Sequence, residues 1–296
     1  MDASAYLDDA TFAWDHRIYR YIFLSGLVIL VYDHLLTLGS EVMIIWSSKL
    51  RLSTCWFLMV RYTAIAVSIV YAFFYFGNLS PEVCIEMEKV LEGLLCIQEA
   101  LVEVTLGVRV FAMYGLNLWI LLSLLVPGSI SAAFALWTII EYGRPVMLTA
   151  PGFGGCHTAI PKSTAIRLAA AWEAQLFCDI VVFGLTLRRA YVDRGVLGVI
   201  SGSLIDRMLR DGAMYFGIIV LANLANVLTL YLGDIILAGI LSWFTTSLSV
   251  TLICRLMLRL HKAGTPGMAS ANHETSELET LRFVGPAPVN VIDEDV

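Results

Sequence analysis

The sequence predicts an all-α integral membrane protein with seven transmembrane helices arranged as a receptor-like bundle, and two observations lead to this fold class. First, 58% of its 296 residues are hydrophobic and only 15% are charged, whereas soluble domains carry roughly a quarter charged residues. Second, apolar stretches of about 20 residues recur along the chain, which is the length that a helix needs to cross a bilayer core about 30 Å thick. A water-soluble globule could not hide so much apolar surface.

Seven apolar stretches define the predicted spans, with an error of a few residues at each boundary. They cover residues 21–38, 55–76, 94–114, 116–140, 165–187, 213–232 and 235–257. Only Gly233 and Asp234 separate the last two stretches, and one continuous helix there would cross the bilayer twice over. The sequence therefore predicts two helices joined by a tight turn. Pro127 is expected to kink helix four, because it removes one backbone hydrogen bond.

The placement of Lys and Arg predicts the orientation, because cytoplasmic loops carry an excess of basic residues. With the amino terminus outside, the inner loops and the base of the tail hold ten of these residues, and the outer segments hold six. The inner group includes a cluster after the fifth span, formed by Arg188, Arg189 and Arg194. We therefore expect the amino terminus outside and the carboxyl terminus inside.

Three parts of the chain follow from these spans. Residues 1–19 are expected to be an extracellular segment, and 20–262 form the seven-helix domain. Residues 263–296 are expected to be a disordered cytoplasmic tail, since they are rich in Pro, Gly, Ser and Thr and end in acidic residues. The first 20 residues contain four aspartates, unlike the basic start of a signal peptide, so helix one is expected to be its own insertion signal.

Two of the six cysteines, Cys84 and Cys156, fall in predicted outer loops. Cys84 precedes helix three, and Cys156 lies in the long loop between helices four and five. Both would face the oxidising side of the membrane, where a disulfide bond persists. The sequence predicts a Cys84–Cys156 bridge that ties the start of helix three to this loop, as in many seven-helix receptors. Two free loop thiols are the alternative.

No motif in the sequence indicates catalysis. Of five histidines only His34 lies in a span, too few for the ligands of a membrane zinc hydrolase. Helix seven has no lysine for a retinal Schiff base, and the chain contains neither a Walker loop nor a G-x-S-x-G elbow. We therefore expect no enzymatic activity, no metal, no cofactor and no nucleic-acid partner.

Ionisable residues are predicted at membrane depth, where each costs at least about 2.5 to 3.5 kcal/mol unless it has a partner or a wet cavity. They form a predicted intramembrane polar core of Asp33, Arg61, Glu99, Glu103, Arg109, Glu173 and Asp179. Asp33 and Arg61 fall about 9 Å from the inner ends of adjacent antiparallel helices, so we predict that they pair. Glu99 and Glu103 are spaced i and i+4 and share one face of helix three.

This polar core has two interpretations. Either it switches helix positions or passes an ion, or its buried ion pairs only fix the register of the helices. Glu173 and Asp179 lie about 240° apart around helix five, so they do not share a face. Asn223 and Asn226, one turn apart on helix six, are predicted to form hydrogen bonds between helices.

A set of short motifs between residues 31 and 62 resembles a known family. The motifs are Tyr32-Asp33, Leu35-Leu36-Thr37, Glu41-Val42, Ile45-Trp46, Lys49 and Arg61-Tyr62. They are similar to the conserved amino-terminal domain of unknown function in seven-helix membrane proteins that are abundant in mushroom-forming fungi. Residues 99–115, the GGCH motif and residues 167–187 resemble that family too. The resemblance implies seven helices and no assigned activity, since the family is uncharacterised.

The leading functional hypothesis is an orphan receptor, similar to G-protein-coupled receptors, in the surface membrane. It would sense an external ligand and signal to a cytoplasmic partner through its inner loops, in particular through Arg188, Arg189 and Arg194. A proton- or ion-coupled transporter is the first alternative, because of the buried carboxylates. A membrane scaffold that recruits partners through its tail is the second. The bilayer is the partner common to all three hypotheses.

Overall fold

Seven α-helices form the described part of the chain, which in this computed structural model covers residues 9–47, 51–141, 146–147, 155–156, 158–159, 162–196, 204–233 and 237–263. The helices are α1 (Asp9–Glu41), α2 (Leu52–Phe76), α3 (Pro81–Met113), α4 (Leu118–Ile140), α5 (Lys162–Val196), α6 (Leu204–Leu232) and α7 (Ser242–Ala263). A π-helical segment, Val42–Trp46, continues α1. Two short strands, β1 (Val146–Met147) and β2 (Thr158–Ala159), pair antiparallel between α4 and α5. The prediction of an all-α bundle is confirmed.

Five stretches of these helices are long and apolar enough to cross a membrane. They are Ala13–Trp46, Leu52–Phe76, Leu118–Ile140, Lys162–Val192 and Gly212–Leu232. The chain is therefore a multi-pass helical membrane protein. α3 and α7 are not among the five, because α3 carries a series of carboxylates and α7 is rich in Thr, Ser and Arg. Several of these polar side chains are buried in the bundle, including Glu99 on α3 and Thr246 on α7.

The helices run further than the predicted spans at several ends. α1 begins at Asp9 and α3 at Pro81, more than ten residues before the apolar stretches that predicted them. Hydropathy marks only the apolar part of a helix, whereas the backbone hydrogen bonds continue into its polar ends. The break after α6 is confirmed, but the connection is longer than a tight turn, since α7 begins only at Ser242.

The two ends of the bundle are distinguished by what they contain. We call the end with Cys84 and Cys156 the disulfide end, and the end at which α1 leads into its π-helical segment the distal end. A cluster of aromatic side chains fills the core near the disulfide end, where Phe23 of α1 contacts Trp243 of α7 at a ring distance of 5.9 Å. Tyr71 of α2 stands 4.5 Å from the same indole ring.

α1 and α7 approach each other closely at a glycine. A Cβ atom on Gly26 would lie 3.2 Å from the Cα atom of Phe244. Only a residue without a side chain lets the two backbones come so close, as is common where membrane helices pack. This contact holds α7 against α1 just below the aromatic cluster.

α4 lies at the periphery of the bundle. Ser131 and Thr138 are its only buried residues, and large apolar side chains such as Trp119, Leu122 and Ile140 are exposed. Pro127 stands inside this helix, where it removes one backbone donor. A helix that is apolar all round suits a lipid environment rather than water. α4 therefore forms an outer wall beside α3 and α5.

Candidate functional site

The predicted disulfide bond is present. Cys84, in the first turn of α3, is bonded to Cys156, and their Cα atoms are 5.6 Å apart. The backbone N–H of Cys156 donates a hydrogen bond to the carbonyl oxygen of Phe74 at 3.1 Å. The bridge thereby connects α3 to the segment before α5, and that segment is fixed in turn to the end of α2.

Gly155 packs directly against α2 beside this bridge. Its backbone has a φ of +97°, which favours glycine, and a Cβ atom there would lie 2.1 Å from the carbonyl oxygen of Tyr75. Arg20 of α1 donates to the same oxygen at 3.3 Å. Three parts of the chain therefore converge on one carbonyl group and close the disulfide end.

A cavity of about 450 Å³ lies between α3, α4 and α5. Its lining runs along α3 from Glu92 to Phe111 and along α4 from Leu121 to Ile139. From Glu92 to Phe111 the helix rises about 28 Å, so the cavity is long and narrow and extends through most of a bilayer core. Most of the lining is apolar. Its volume is within the range of small-molecule sites.

Polar groups line the middle of this cavity. Gln175 of α5 donates to the Glu103 carboxylate of α3 at 2.8 Å. The Ser131 hydroxyl of α4 donates to the other end of the same amide, at 3.2 Å. The three residues form one chain of hydrogen bonds across the three helices of the cavity wall.

Glu99 joins the cavity to α7. It lies one turn before Glu103 and lines the cavity, yet its side chain is only 8% exposed. Its Oε1 atom accepts a hydrogen bond from the Thr246 hydroxyl of α7. Its Oε2 atom is buried and has no hydrogen-bond partner among the described residues. One carboxylate therefore belongs both to the cavity wall and to the α3–α7 interface.

Asp179 extends the polar network to α6. It lies four residues after Gln175 on α5, and its Oδ2 atom accepts a hydrogen bond from the side chain of Asn223 at 2.6 Å. Asn226, one turn along, accepts from the Ser242 hydroxyl at the start of α7, at 3.2 Å. The prediction that these two asparagines form hydrogen bonds between helices is confirmed.

Arg61 and Glu41 form a buried ion pair near the distal end. The two side chains approach to 2.8 Å and are 4% and 0% exposed. Arg61 also donates to the Thr37 hydroxyl at 2.8 Å, and Tyr62 donates to the Glu41 carboxylate at 2.9 Å. These contacts fix α2 against the end of α1.

The prediction that Arg61 pairs with Asp33 is wrong, since Asp33 pairs with Arg255 of α7. The predicted first span ended before Gly39, whereas the helix continues without a break to Trp46. The helix is thus seven residues longer at this end, and Asp33 lies about 10 Å farther from the distal end than the prediction assumed. A different acid, Glu41, then reaches the guanidinium of α2.

Arg109 and Glu173 lie apart from these groups. The Arg109 guanidinium stands over the Phe216 ring of α6 at 5.2 Å, a cation–π geometry. Glu173 lies on the outer surface and accepts a hydrogen bond from the Tyr231 hydroxyl at 2.7 Å. The seven predicted residues are therefore not one site. They divide into a carboxylate network beside the cavity, an ion-pair group near the distal end and these two separate side chains.

The predicted basic cluster lies at the end of α5. Arg188 is exposed, and the guanidinium of Arg189 stands 5.9 Å from the centre of the Tyr114 ring, near the end of α3. The Tyr114 hydroxyl donates to the carbonyl oxygen of Leu185 at 2.9 Å, which fixes α3 to α5 at this level. The side chain of Arg194 lies outside the described residues.

Sequence reasoning missed four residues that complete these networks, namely Glu41, Gln175, Thr246 and Arg255. A signal for Glu41 was present, since Asp33, Thr37 and Glu41 recur every four residues and form a polar stripe along α1. Arg255 was counted among the ten inner basic residues, but it is paired with Asp33 of α1, so nine of them remain for that count. Gln175 and Thr246 are common residue types, and nothing in their spacing sets them apart.

Comparison with known proteins finds one family that matches part of this multi-pass helical membrane protein. The family of unknown function DUF6533 matches residues 21–66. No curated protein and no solved structure matches the chain. The matched segment contains Asp33, Glu41 and Arg61, and so covers α1 from Tyr21 onward, the π-helical segment and the first part of α2. The match supports the resemblance where it concerns a domain of unknown function near the amino terminus.

Proposed function

We propose that this protein is an orphan receptor-like sensor of the surface membrane, with all seven helices crossing the bilayer. In this proposal the disulfide end faces outside and the distal end faces the cytoplasm, because nine basic residues of the sequence on the distal side, not counting Arg255, against six on the other side favour that orientation. The ligand would enter the cavity between α3, α4 and α5. The cytoplasmic partner would contact the basic end of α5.

One contact carries this proposal, the hydrogen bond between Glu99 and Thr246. Glu99 lines the cavity, and Thr246 is on α7. A ligand that contacts the Glu99 carboxylate competes with this hydrogen bond or reorients it. Binding at the cavity therefore has a direct physical route to the position of α7.

α7 also reaches the other group of ionisable residues. Nine residues beyond Thr246, about 13 Å along the helix, Arg255 pairs with Asp33. Asp33 belongs to the polar stripe of α1 whose last member, Glu41, holds Arg61 of α2. A shift of α7 would act on the Arg255–Asp33 ion pair. Interfaces held by discrete polar contacts switch between arrangements rather than deform continuously. This is the behaviour that a receptor requires.

Capture of an inner partner tests the proposal. A biotin ligase fused after Val296 would label proteins near the carboxyl terminus in living cells, and the matched variant replaces Arg188, Arg189 and Arg194 by Ala. We expect one labelled partner that is lost in this triple variant. The control variant, Lys162→Ala, removes a basic residue at the other end of α5 and should leave labelling unchanged. Labelling that does not depend on the arginines would contradict the proposal.

A proton- or ion-coupled transporter is the alternative, and the carboxylate network favours it. Glu99, Glu103 and Asp179 form no ion pair with an Arg or Lys among the described residues, although Glu99 and Asp179 are buried and Glu103 is half-buried. Buried acidic residues without a cationic partner are typical of ion and proton pathways. Buried acceptor atoms on Asp179 and Asn223 also have no partner in the described region.

Flux through liposomes separates the two functions. Purified protein would be reconstituted with a pH-sensitive dye inside, and proton flux followed with and without a membrane potential. The receptor proposal expects no flux above that of empty liposomes. A flux that disappears in Glu103→Gln but persists in Glu173→Gln would establish the transporter instead. Recruitment through the tail alone, the scaffold alternative, concerns residues 264–296, which lie outside the described residues.

A further inference from the structure

Among the described residues, the middle of the cavity presents two carboxylates and no Lys or Arg. Glu99 and Glu103, spaced i and i+4 on α3, both line it. Glu103 is held by the Gln175 amide, which is neutral, at 2.8 Å. The Oε2 atom of Glu99 is buried and lacks a hydrogen-bond partner in the part of the chain that the structure describes. Such a wall is complementary to a ligand that brings hydrogen-bond donors and a positive charge.

The cavity beyond Glu103 is apolar and open. From Glu103 to Phe111 the helix rises about 12 Å, and the lining there includes Val108 of α3 and Leu121 of α4. Gly107 also lines this part, and a Cβ atom on it would meet nothing within 4 Å. A slot of this length accepts an extended hydrocarbon chain.

The same part of the cavity opens to the outer surface of the bundle. Val108 and Leu125 both line the cavity, yet they are 61% and 58% exposed. In a membrane that outer surface faces lipid chains rather than water. A ligand dissolved in the bilayer can therefore pass between α3 and α4 without crossing the disulfide end.

We infer that the cavity binds a single-chain amphipathic amine, with its ammonium group at Glu99 and Glu103 and its hydrocarbon chain along Gly107 towards Phe111. An ammonium has three donors and no acceptor, which matches the free Glu99 oxygen and the Glu103 carboxylate. The inference deepens the proposed function and rests on it, since it names the ligand class of the same cavity.

Photolabelling tests the inference on the purified full chain in lipid nanodiscs. The probe is a photoreactive derivative of dodecylamine, and labelled peptides are identified by mass spectrometry. We expect labelling on α3 and α4, displaced by dodecylamine at concentrations at least tenfold lower than by dodecanol. The alcohol has the same chain and no charge, so it isolates the contribution of the carboxylates. Equal displacement by the two compounds would overturn the inference.

Two variants address the two halves of the site separately. Glu99→Gln removes one of the two carboxylates, whereas Gly107→Leu fills the slot for the hydrocarbon chain and leaves both carboxyl groups in place. We expect each to reduce specific labelling at least tenfold, whereas Glu173→Gln, on the outer surface of α5, leaves it unchanged. Each variant is first compared with the wild type in thermal unfolding. If Glu99→Gln does not fold, Gly107→Leu decides the test alone, and retained labelling there overturns the inference.

The outcomes separate this inference from the receptor proposal. Specific amine labelling, together with partner capture that does not require Arg188, Arg189 and Arg194, would refute the receptor proposal and support the inferred class of ligand. Partner capture that requires these arginines, with no amine-specific labelling, would refute the ligand class and keep the receptor.

Discussion

Arg61 of α2 pairs with Glu41 of α1 at 2.8 Å, with both side chains almost fully buried. The pair joins the last turn of α1 to the first half of α2, and Tyr62 adds a hydrogen bond to the same carboxylate. A buried ion pair of this kind contributes little net stability when intact, but it is costly to break from one side, because the remaining charge loses its partner.

Glu41→Gln is therefore expected to destabilise the protein by about 3 to 5 kcal/mol. The variant leaves the Arg61 guanidinium buried without its counter-charge. Replacing both residues, as in Glu41→Leu with Arg61→Met, should recover part of the loss. Denaturant unfolding in detergent micelles measures the three variants. A double variant no more stable than the worse single variant would show that the pair is not coupled.

The disulfide bond is expected to contribute about 2 to 5 kcal/mol. Cys84→Ser and Cys156→Ser should lower the unfolding midpoint by similar amounts, and the double variant should be little worse, because all three lack the same bond. Cys55→Ser is the matched control, since Cys55 is free and exposed. Additive losses in the double variant would contradict this expectation.

Gly26→Ala and Gly39→Ala should have opposite effects on stability, although both glycines lie in α1. A methyl group on Gly39 meets nothing within 4 Å, so the usual helical gain of about 0.5 to 1 kcal/mol over glycine is expected. At Gly26 the same methyl group presses on the Phe244 backbone at 3.2 Å and should cost about 1 to 3 kcal/mol. Thermal unfolding of both variants in one detergent checks the sign. A stabilised Gly26→Ala variant would mean that α1 and α7 pack less closely than described.

The orientation can be tested with epitope tags in intact cells. A tag before Met1 should be accessible to antibody, and a tag after Val296 should be accessible only after permeabilisation, because the basic residues concentrate on the side of the carboxyl terminus. The reverse pattern would place the disulfide end inside, where a bond between Cys84 and Cys156 would not persist.

Hydropathy and spacing were sufficient to predict some features of this fold. Long apolar stretches identify membrane helices, and Cys84 and Cys156 were the two cysteines expected in outer loops, so their bond followed. The shared face of Glu99 and Glu103 follows from helical period alone, and both residues do line one cavity.

Other features depend on where helices end and which faces meet. The first helix continues through Glu41 to Trp46 although its apolar stretch is interrupted at Gly39, so that Glu41 and not Asp33 pairs with Arg61. The cavity was not predictable, because α4 is apolar on all sides and has no polar face to indicate how it packs. Thr246 contacts Glu99 across 147 positions of sequence, and a single threonine carries no signal of such a contact.

The hydrogen bond from Thr246 to Glu99 gives the last prediction, since it is the contact that connects the cavity to α7. Thr246→Val keeps the shape of the side chain and removes its hydroxyl, so one oxygen of a buried carboxyl group loses its donor. We expect a loss of about 1 to 3 kcal/mol, the cost of an unsatisfied buried polar group. Thr246→Ser retains the hydroxyl and should recover most of that loss.

Thr251→Val is the matched control on the same helix, because among the described residues its hydroxyl donates to the Ser247 carbonyl oxygen within α7 and not to another helix. It should cost clearly less than Thr246→Val. A double-mutant cycle of Thr246→Val with Glu99→Gln then measures the coupling between α3 and α7, which is expected at about 0.5 to 3 kcal/mol for residues in direct contact. A coupling of zero would mean that the cavity and α7 are energetically independent. The receptor proposal would then lose its physical route, whereas amine binding in the cavity could still be measured without it.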